Sequence, residues 1–600
     1  MDFKEQIAEL LIKKGKIKLK KEEIISLIEI PPNQELGDFS FPCFKLSGIF
    51  KKNPAEIAKN IANEIKPTKE IIKINSSGAY LNFFVNKTLV IEELIEKVDK
   101  DYGKNEEGKS KKILIDFSGP NIGKPMHIGH IRSTIIGDSL MRMFEYQGYK
   151  TIGINYLGDI GLHIGKLIVA WELWLDKKAL KENPIKELLR LYVKFCEKEK
   201  SEATEGAEES SDEINYEDNE WTKKAKQKLK LIEEGDKKTH EIWKQIREAS
   251  GKGFDRVYQM LKVNFDETTG QSKFSEAGKE IITNALKKGI AKLEKETNAA
   301  YIEFKEKDTK GKNKQEKEIL PKKYILRSNG TASYITQDIG AAVERAKKYK
   351  FDEMIYITDY RQSLHFQQLF EIIKRFGFDF SSKCKHIGFG TINFGKEILA
   401  TREGKIILLE DVLKKTIEKA KEEISKRKTR GDPEKIGVGA IKYIILRNEP
   451  IKDVEFSWDA ALNFEGDSGP YLQYSYARAS SIIKKAKYKT ENNKKGKSKE
   501  KLIIPENLEP SEDALIKKIA YFPDIVKSAT NHLNPQILAN YSFQLSQIFN
   551  DFYAKCKVIA EENNKKGKEK QAFRLKLVES FRITLKNSLY LLGIEVMDEM

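Results

Sequence analysis

The run Ile113-Leu114-Ile115-Asp116-Phe117-Ser118 leads directly into Gly119-Pro120-Asn121-Ile122-Gly123-Lys124-Pro125-Met126-His127-Ile128-Gly129-His130, and this stretch decides the fold. Its first six residues form a short apolar run suited to a strand buried on both faces of a parallel sheet. The Gly/Pro loop that follows cannot extend a strand, and from about His130 to Tyr146 the apolar spacing becomes helical. Strand, loop and helix then recur. Lys150 to Tyr156, Met354 to Thr358 and His386 to Phe389 read as further strands, so the spacing predicts an α/β unit with a Rossmann-like parallel sheet and crossover helices.

Outward from that unit the chain changes character. Residues 1 to about 104 carry an amphipathic start (Ile7, Leu10, Leu11), a turn-rich stretch Pro31 to Asp38, a helix beginning near Pro54 and a strand-like Ala79 to Val85. The polar segment Lys104 to Lys112, with Gly108 inside it, reads as a linker. An α+β amino-terminal domain (1–104) therefore precedes the α/β domain (105–435). Two stretches of the latter, about 197–220 and 305–318, read as solvated insertions, one rich in Glu, Asp, Ser and Asn and the other in Lys and Glu. From about Ile436 to the end the pattern is wholly helical, with amphipathic stretches at Leu515 to Val526, Ile537 to Ile559 and Phe573 to Leu592.

Composition narrows the function. A chain of 600 residues is too long for a disulfide-stapled mini-protein, and Cys43, Cys196, Cys384 and Cys556 form no Cys-x-x-Cys pair. The formal charge of +17 is of the sign that favours a polyanionic partner such as nucleic acid. No stretch has the length and apolarity of a membrane span, and the first residues lack the pattern of a secretory signal, so a soluble cytoplasmic protein without membrane association is expected.

His127-Ile128-Gly129-His130 brings together two of only seven histidines, and a His-x-Gly-His is expected about 0.005 times by composition. The pair sits at a helix start, where unpaired N–H groups attract phosphate. Imidazoles there can donate hydrogen bonds to a nucleotide and stabilise charge that moves in phosphate displacement. Gly129 would let a flat base approach the backbone. Standing alone, such a pair would read as helix-capping or core histidines.

It does not stand alone. The chain resembles the class I aminoacyl-tRNA synthetases, whose signature His-x-Gly-His falls at this strand-to-helix position, and more narrowly the arginyl-tRNA synthetases. The likeness rests on Ser118 to Asn121, Lys124 to Thr134, Asn155 to Gly161, Gly466 to Tyr474 and Phe549 to Cys556, while Leu36-Gly37-Asp38-Phe39 with the Pro54 helix is similar to the family's amino-terminal domain, which contacts the tRNA elbow. The resemblance implies ligation of L-arginine to tRNA(Arg). ATP, as its Mg²⁺ complex and without a tightly held protein metal, would form arginyl-adenylate, and the arginyl group would then pass to the 2′-hydroxyl of the terminal adenosine. It also implies an anticodon-binding helical domain and, in our reading, a monomer.

Residue by residue, the resemblance places His127, Gly129 and His130 at the ATP. The usual late Lys-Met-Ser-Lys-Ser loop has neither lysine here, so Lys124 is expected to serve the phosphates, with Arg402 a second candidate. Asp338 is expected to grip the guanidinium through two parallel N–H bonds, with Tyr334 four residues earlier on the same helical face. Gln362 completes that pocket, and Gly119, Pro120, Asn121 and His130 face the amino-acid end. Gln271 stands in Gly270-Gln271-Ser272 where the family often has Glu, which removes one charge near the guanidinium. Tyr471, Gln473, Tyr474, Tyr476 and Arg478 are expected at tRNA, where aromatic faces can stack unpaired bases. Three other readings stay open at this point: a class I synthetase for another amino acid, a catalytically silent tRNA-binding homologue, and a small-molecule nucleotidyltransferase. The last would leave the basic helical region unexplained.

Overall fold

In the computed structural model, residues 3–15, 17–31, 36–202, 219–307, 316–394, 408–491, 502–505, 507–559 and 564–600 are described. The chain divides into two compact units. One comprises Met1–Tyr102, Ile482–Ala520 and Ile548–Thr584, the other Gly103–Ser481, Tyr521–Gln547 and Leu585–Met600.

In the first unit the alternation of apolar residues in Tyr80–Val85 (β3) puts Leu81 and Phe83 into the core, and the strand pairs antiparallel with Phe39–Pro42 (β1) and Ile71–Ser77 (β2) in the order β1-β3-β2. Helices Phe3–Lys13 (α1), Lys21–Leu27 (α2), Ser47–Phe50 (α3), Pro54–Glu64 (α4) and Lys87–Lys97 (α5) accompany the sheet. α4 starts where the sequence signals it: the Asn53 side chain accepts the Ala55 amide and Pro54 holds the first turn. Ile7, Leu11, Ile24, Phe41, Ile57 and Ile61 close the core. The helical part of this unit is held by a buried pair, Arg574 Nε to Glu512 Oε1 at 2.7 Å, and by Phe549 stacked on Phe581 at 3.7 Å.

The second unit is built on Lys112–Asp116 (β4), in which Ile113, Leu114 and Ile115 are all buried. It lies inside a five-stranded, wholly parallel sheet ordered β11-β10-β4-β5-β6 with Lys150–Leu157 (β5), Glu267–Gly270 (β6), Glu353–Asp359 (β10) and Cys384–Phe389 (β11). The α/β expectation holds. β4 has β5 on one side and β10 on the other, so connections leave it in opposite directions, and a crevice opens beyond the carboxyl ends of the strands at such a reversal. Gly129–Tyr146 (α6) is the first crossover, followed by Leu162–Trp174 (α7), Lys177–Glu182 (α8), Pro184–Ser201 (α9), Glu220–Glu233 (α10), Lys237–Leu261 (α11) and Ser275–Lys287 (α12). Tyr334–Tyr349 (α13) and Ser363–Arg375 (α14) flank β10 in sequence.

Several segments differ from the sequence reading. Residues 305–307 and 316–318, read as solvated, belong to the antiparallel strands Ala300–Lys307 (β8) and Glu316–Leu326 (β9), next to Lys292–Leu293 (β7). One face of the pair is apolar (Ile302, Phe304, Ile325) and buried, which the charged side chains of the other face mask in a composition count. Residues 197–201 complete α9, and 308–315 and 203–218 lie outside the described residues. Helical structure resumes at Leu409–Arg427 (α15) and Pro433–Leu446 (α16), ahead of Ile436, and Val454–Phe456 (β13) interrupts it by pairing parallel with Ile392–Phe394 (β12). Trp458–Ala461 (α17), Gly469–Glu491 (α18), Pro510–Ala520 (α19), Phe522–Asn531 (α20), Gln536–Lys555 (α21) and Lys565–Leu591 (α22) follow, so the single stretch Leu515 to Val526 is two helices broken at Tyr521. No described helix is long and apolar enough to cross a membrane.

Gly137 fixes how closely α6 approaches β4, because a Cβ there would lie 2.2 Å from the Phe117 ring. Gly137→Ala is expected to cost about 1–3 kcal/mol through overpacking, read as an earlier first transition in urea unfolding; an unchanged transition would show that the helix has slack.

Candidate functional site

β4 ends at Asp116, and the chain turns through Ser118 and Gly119, both in the left-handed region with φ of 73° and 55°. Glycine adopts this freely; for serine it costs roughly 1–2 kcal/mol and persists only where the surroundings impose it. Here they do. The Ser118 amide donates to Ser133 Oγ at 2.8 Å, the Thr134 hydroxyl donates to Ser118 Oγ at 2.9 Å, and Ser118 Oγ lies 2.8 Å from Tyr258 Oη. The Gly119 amide donates to Asn155 Oδ1 at 3.1 Å, and Asn155 Nδ2 donates to Tyr258 Oη at 3.1 Å. Beyond the turn Asn121 bridges Gly158, whose Cβ, were there one, would fall 1.8 Å from Asn121 Oδ1.

The loop delivers the two histidines to the start of α6. The Gly129 amide donates to His127 Nδ1 at 3.1 Å, which leaves the His127 proton on Nε2, the outer nitrogen. His130 Nδ1 lies 3.2 Å from the His127 amide and 3.3 Å from its carbonyl, and the rings are 3.9 Å apart between centroids. Burial, then the neighbouring His127 and Lys124, push the His130 imidazole down to about 3. His127, exposed at the rim, is lowered by partial desolvation and by Lys124. Two neutral imidazoles therefore face the crevice. A Cβ on the glycine between them would stand 2.9 Å from the His127 ring, so Gly129 makes room for that ring. After the segment outside the described residues, the chain re-enters beside this loop, with the Leu409 amide donating to the Met126 carbonyl at 2.9 Å.

At the other end of the crevice, α13 starts in a capping box in which the Ser333 amide donates to Thr336 Oγ1 at 2.9 Å, and this sets Tyr334 and Asp338 toward the opening. Asp338 already shares one of its oxygens: its Oδ2 lies 2.7 Å from His365 Nε2 on α14. Asp116 is paired with Arg345 at 2.7 Å, and both are buried. Burial opposes the Arg345 charge, but Asp116 with the Tyr356 and Tyr156 rings outweighs it and holds the guanidinium ionised. Around these charges the oxygens Gln271 Oε1, Tyr156 Oη and Tyr356 Oη are buried without a hydrogen-bond partner among the described residues, in a crevice that all three residues line. Unsatisfied polar atoms of this kind cost about 1–3 kcal/mol each and mark where a polar ligand or water belongs.

Gly119, Asn121, His127, Gly129, His130, Tyr334, Asp338 and Gln362 all line one crevice of about 720 Å³, together with Gln271, His365, Asp359 and Arg361. Pro120 is buried and does not line it. Lys124 is not among the lining residues either; its ammonium sits 4.6 Å over the Tyr192 ring of α9, near enough for its charge to lower both imidazoles. Arg402 lies outside the described residues. On α18, Tyr471, Tyr474 and Arg478 form a half-exposed stripe, with Arg478 Nη2 donating to Tyr474 Oη at 3.0 Å. Tyr476 and Gln473 are buried, and Gln473 Nε2 donates to the carbonyls of Lys435 and Glu595 at 2.9 and 2.8 Å, so neither faces solvent. Sequence reasoning missed His365, although it stands one helical turn after Gln362, where such spacing puts two side chains on one face. It also missed the Asp116–Arg345 pair, which no local pattern announces.

Three family models cover the chain: tRNA synthetases class I (R), catalytic domain, over residues 91–458; DALR anticodon binding domain over 472–600; and arginyl tRNA synthetase N terminal domain over 1–85. The chain is similar to an arginine–tRNA ligase of Halothermothrix orenii, 38% identical over 611 residues and the whole of both chains. It is also 37% identical to one of Clostridioides difficile over 610 residues, again with full coverage of both. Among solved structures, an arginyl-tRNA synthetase of Thermus thermophilus superposes with a TM-score of 0.74 at 22% identity, covering 100% of this chain and 99% of that one, a likeness of fold. The arginyl-tRNA synthetase of Plasmodium falciparum gives 0.70 at 25% identity over 96% and 94%.

The electrostatics make a pH prediction. His130 is lowered to about 3, and His163 and His386 to about 4, in each case chiefly by burial. As pH falls through about 6.5 the unfolded chain takes up these protons while the folded chain refuses them until about 4 or below, so stability declines over that window. Histidine NMR at about pH 5 should find these three imidazoles still neutral; a His130 that titrates near its ordinary value would overturn the assignment.

Proposed function

Since the chain belongs to the class I arginyl-tRNA synthetases, enzymes that charge tRNA with arginine, we propose the following division of labour in its crevice. ATP, brought as its Mg²⁺ complex, lies along His127, Gly129 and His130, with the α-phosphate toward the imidazoles. L-arginine occupies the end walled by Asp338, Tyr334, Gln362 and Gln271, its carboxylate and amino group directed to Asn121, Gly119 and His130. The arginine carboxylate is itself the nucleophile. It attacks the α-phosphorus and pyrophosphate leaves; the 2′-hydroxyl of the terminal adenosine of tRNA then attacks the carbonyl of the mixed anhydride, taking the arginyl group and releasing AMP, with no covalent intermediate on the protein.

What the side chains contribute is placement and charge. An imidazole held neutral with Nε2–H outward donates to phosphate oxygen without carrying a proton that the reaction would have to move. Lys124, whose charge both imidazoles feel, serves the phosphates when it swings from Tyr192. The observation that carries the arginine assignment is the pairing at the far end. His365 shares Asp338 Oδ2, which leaves Oδ1 as the freer oxygen, and Gln271 Oε1 is a buried acceptor with no partner among the described residues. We read the guanidinium as held by Asp338 Oδ1 and Gln271 Oε1 together, in place of a two-oxygen grip by Asp338 alone. The neutral amide keeps the second hydrogen bond and gives up its charge-assisted part.

tRNA is placed on the half-exposed Tyr471, Tyr474 and Arg478 by the same reading, with Gln473 acting from behind by bracing α18. We take the working form to be a monomer in the cytoplasm, where tRNA is charged.

ATP–pyrophosphate exchange across the twenty amino acids, with tRNA present, should respond to arginine alone; exchange with lysine or with none would sink the reading. Asp338→Asn should raise the arginine KM at least about tenfold, because a charge-assisted hydrogen bond is worth about 1.5–3 kcal/mol, and leave the ATP KM in place. Lys124→Ala should slow exchange about 10- to 100-fold, the loss expected of one phosphate cation, and exchange at the wild-type rate would remove Lys124 from the phosphate site.

A further inference from the structure

Arg132 stands two residues beyond His130 on α6 and has no exposed surface. A buried cation ordinarily meets a carboxylate, yet no ion pair of Arg132 occurs among the described residues. Its guanidinium donates to five main-chain carbonyls instead. Nη1 reaches Gly390 at 2.9 Å, Thr391 at 3.4 Å and Lys452, and Nη2 reaches Pro450 at 3.0 Å and Glu449 at 3.3 Å. Asp453 and Asp359 act on it only at longer range.

These carbonyls belong to two loops that hold each other. The Gly390 amide donates to the Pro450 carbonyl at 2.9 Å, the Thr391 amide to Asp453 Oδ1 at 2.6 Å, and β12 runs on parallel to β13. Phe389, Gly390, Thr391 and Ile392 form a wall of the same crevice that His127 and His130 line. One side chain thus ties the helix that carries the histidines to the wall facing them. Lysine could not do this, since a point ammonium has three donors and no planar fork to span two loops.

We propose that Arg132 is a positioning residue for the nucleoside triphosphate: it sets the width of the crevice between the imidazoles and the Phe389–Ile392 wall. The inference rests on the reading of this crevice as the ATP and arginine site, and it goes further in assigning the wall to the nucleotide. The arginine end, built on α13, α14 and the turn after β6, depends on other contacts.

The test is ATP–pyrophosphate exchange on the full chain with tRNA, with KM for ATP and for arginine measured separately in Arg132→Lys, Arg132→Met and Asp453→Ala. Arg132→Lys and Arg132→Met should raise the ATP KM about tenfold or more and hold the arginine KM within about twofold. Asp453 is exposed, so Asp453→Ala removes only the outer acceptor of the Thr391 amide and keeps the proposal testable should the Arg132 variants fail to fold; it should raise the ATP KM in the same sense by a smaller factor. Equal rises in both KM values, or a lowered unfolding temperature with neither KM moved, would reduce Arg132 to a structural role. Absence of arginine-dependent exchange in the wild-type chain would strike the underlying reading instead, before any variant is compared.

Discussion

The left-handed turn at Ser118 and Gly119 is the constraint from which the rest of the catalytic unit follows. A buried parallel strand must end, and a helix must begin, within a loop short enough to keep the helix N-terminus over the sheet. The chain meets this by forcing a serine into a backbone region it would otherwise avoid, and four side chains from three later elements hold it there: Ser133 and Thr134 from α6, Asn155 from β5 and Tyr258 from α11. Because Ser133 and Thr134 lie on the helix that His130 opens, the groups that impose the strain are continuous with the groups that face the ligand.

Charge in the crevice is handled by a second rule. Each buried or half-buried acid is matched within hydrogen-bond distance, Asp116 by Arg345, Asp338 by His365 and Asp359 by Arg361, the last pair having enough contacts to hold the Asp359 carboxyl below its ordinary range against the effect of burial. Among the described residues, the crevice oxygens left without a partner are neutral: two tyrosine hydroxyls and the Gln271 amide oxygen. Such a site is not strongly anionic before its substrate arrives, and a cationic side chain finds acceptors already fixed in place, so little reorganisation is left when it binds. The neutral side chain of Gln271 fits that pattern, because a further unpaired carboxylate beside Asp338 would be costly to bury.

How much of this was legible beforehand depended on the range over which each interaction acts. The strand Ile113 to Asp116, the helix after His130 and the capped start of α4 are set by periodicity and by neighbours within one turn, and they appear where the residue pattern puts them. The hairpin strands β8 and β9 were hidden because half their side chains are charged. β13 escaped notice because three residues cannot establish a period. The family resemblance puts Gln473 at RNA; only the packing of α18 against the backbone at Lys435 and Glu595 shows that its amide donates inside.

The sequence by itself determined the α/β class and the position of the histidine loop, since both lie in local patterns that survive any surroundings, whereas Asn121, Tyr334, Asp338 and Gln362 were expected only through the family resemblance and are found lining the crevice. The tertiary structure alone decided that Asp338 shares its carboxylate with His365, that Gly129 makes room for an imidazole, and that Arg132 fastens the crevice wall. Those facts depend on residues between 2 and 320 positions apart meeting across the fold, and no periodicity along the chain encodes a contact that only the packing of strands and helices brings about.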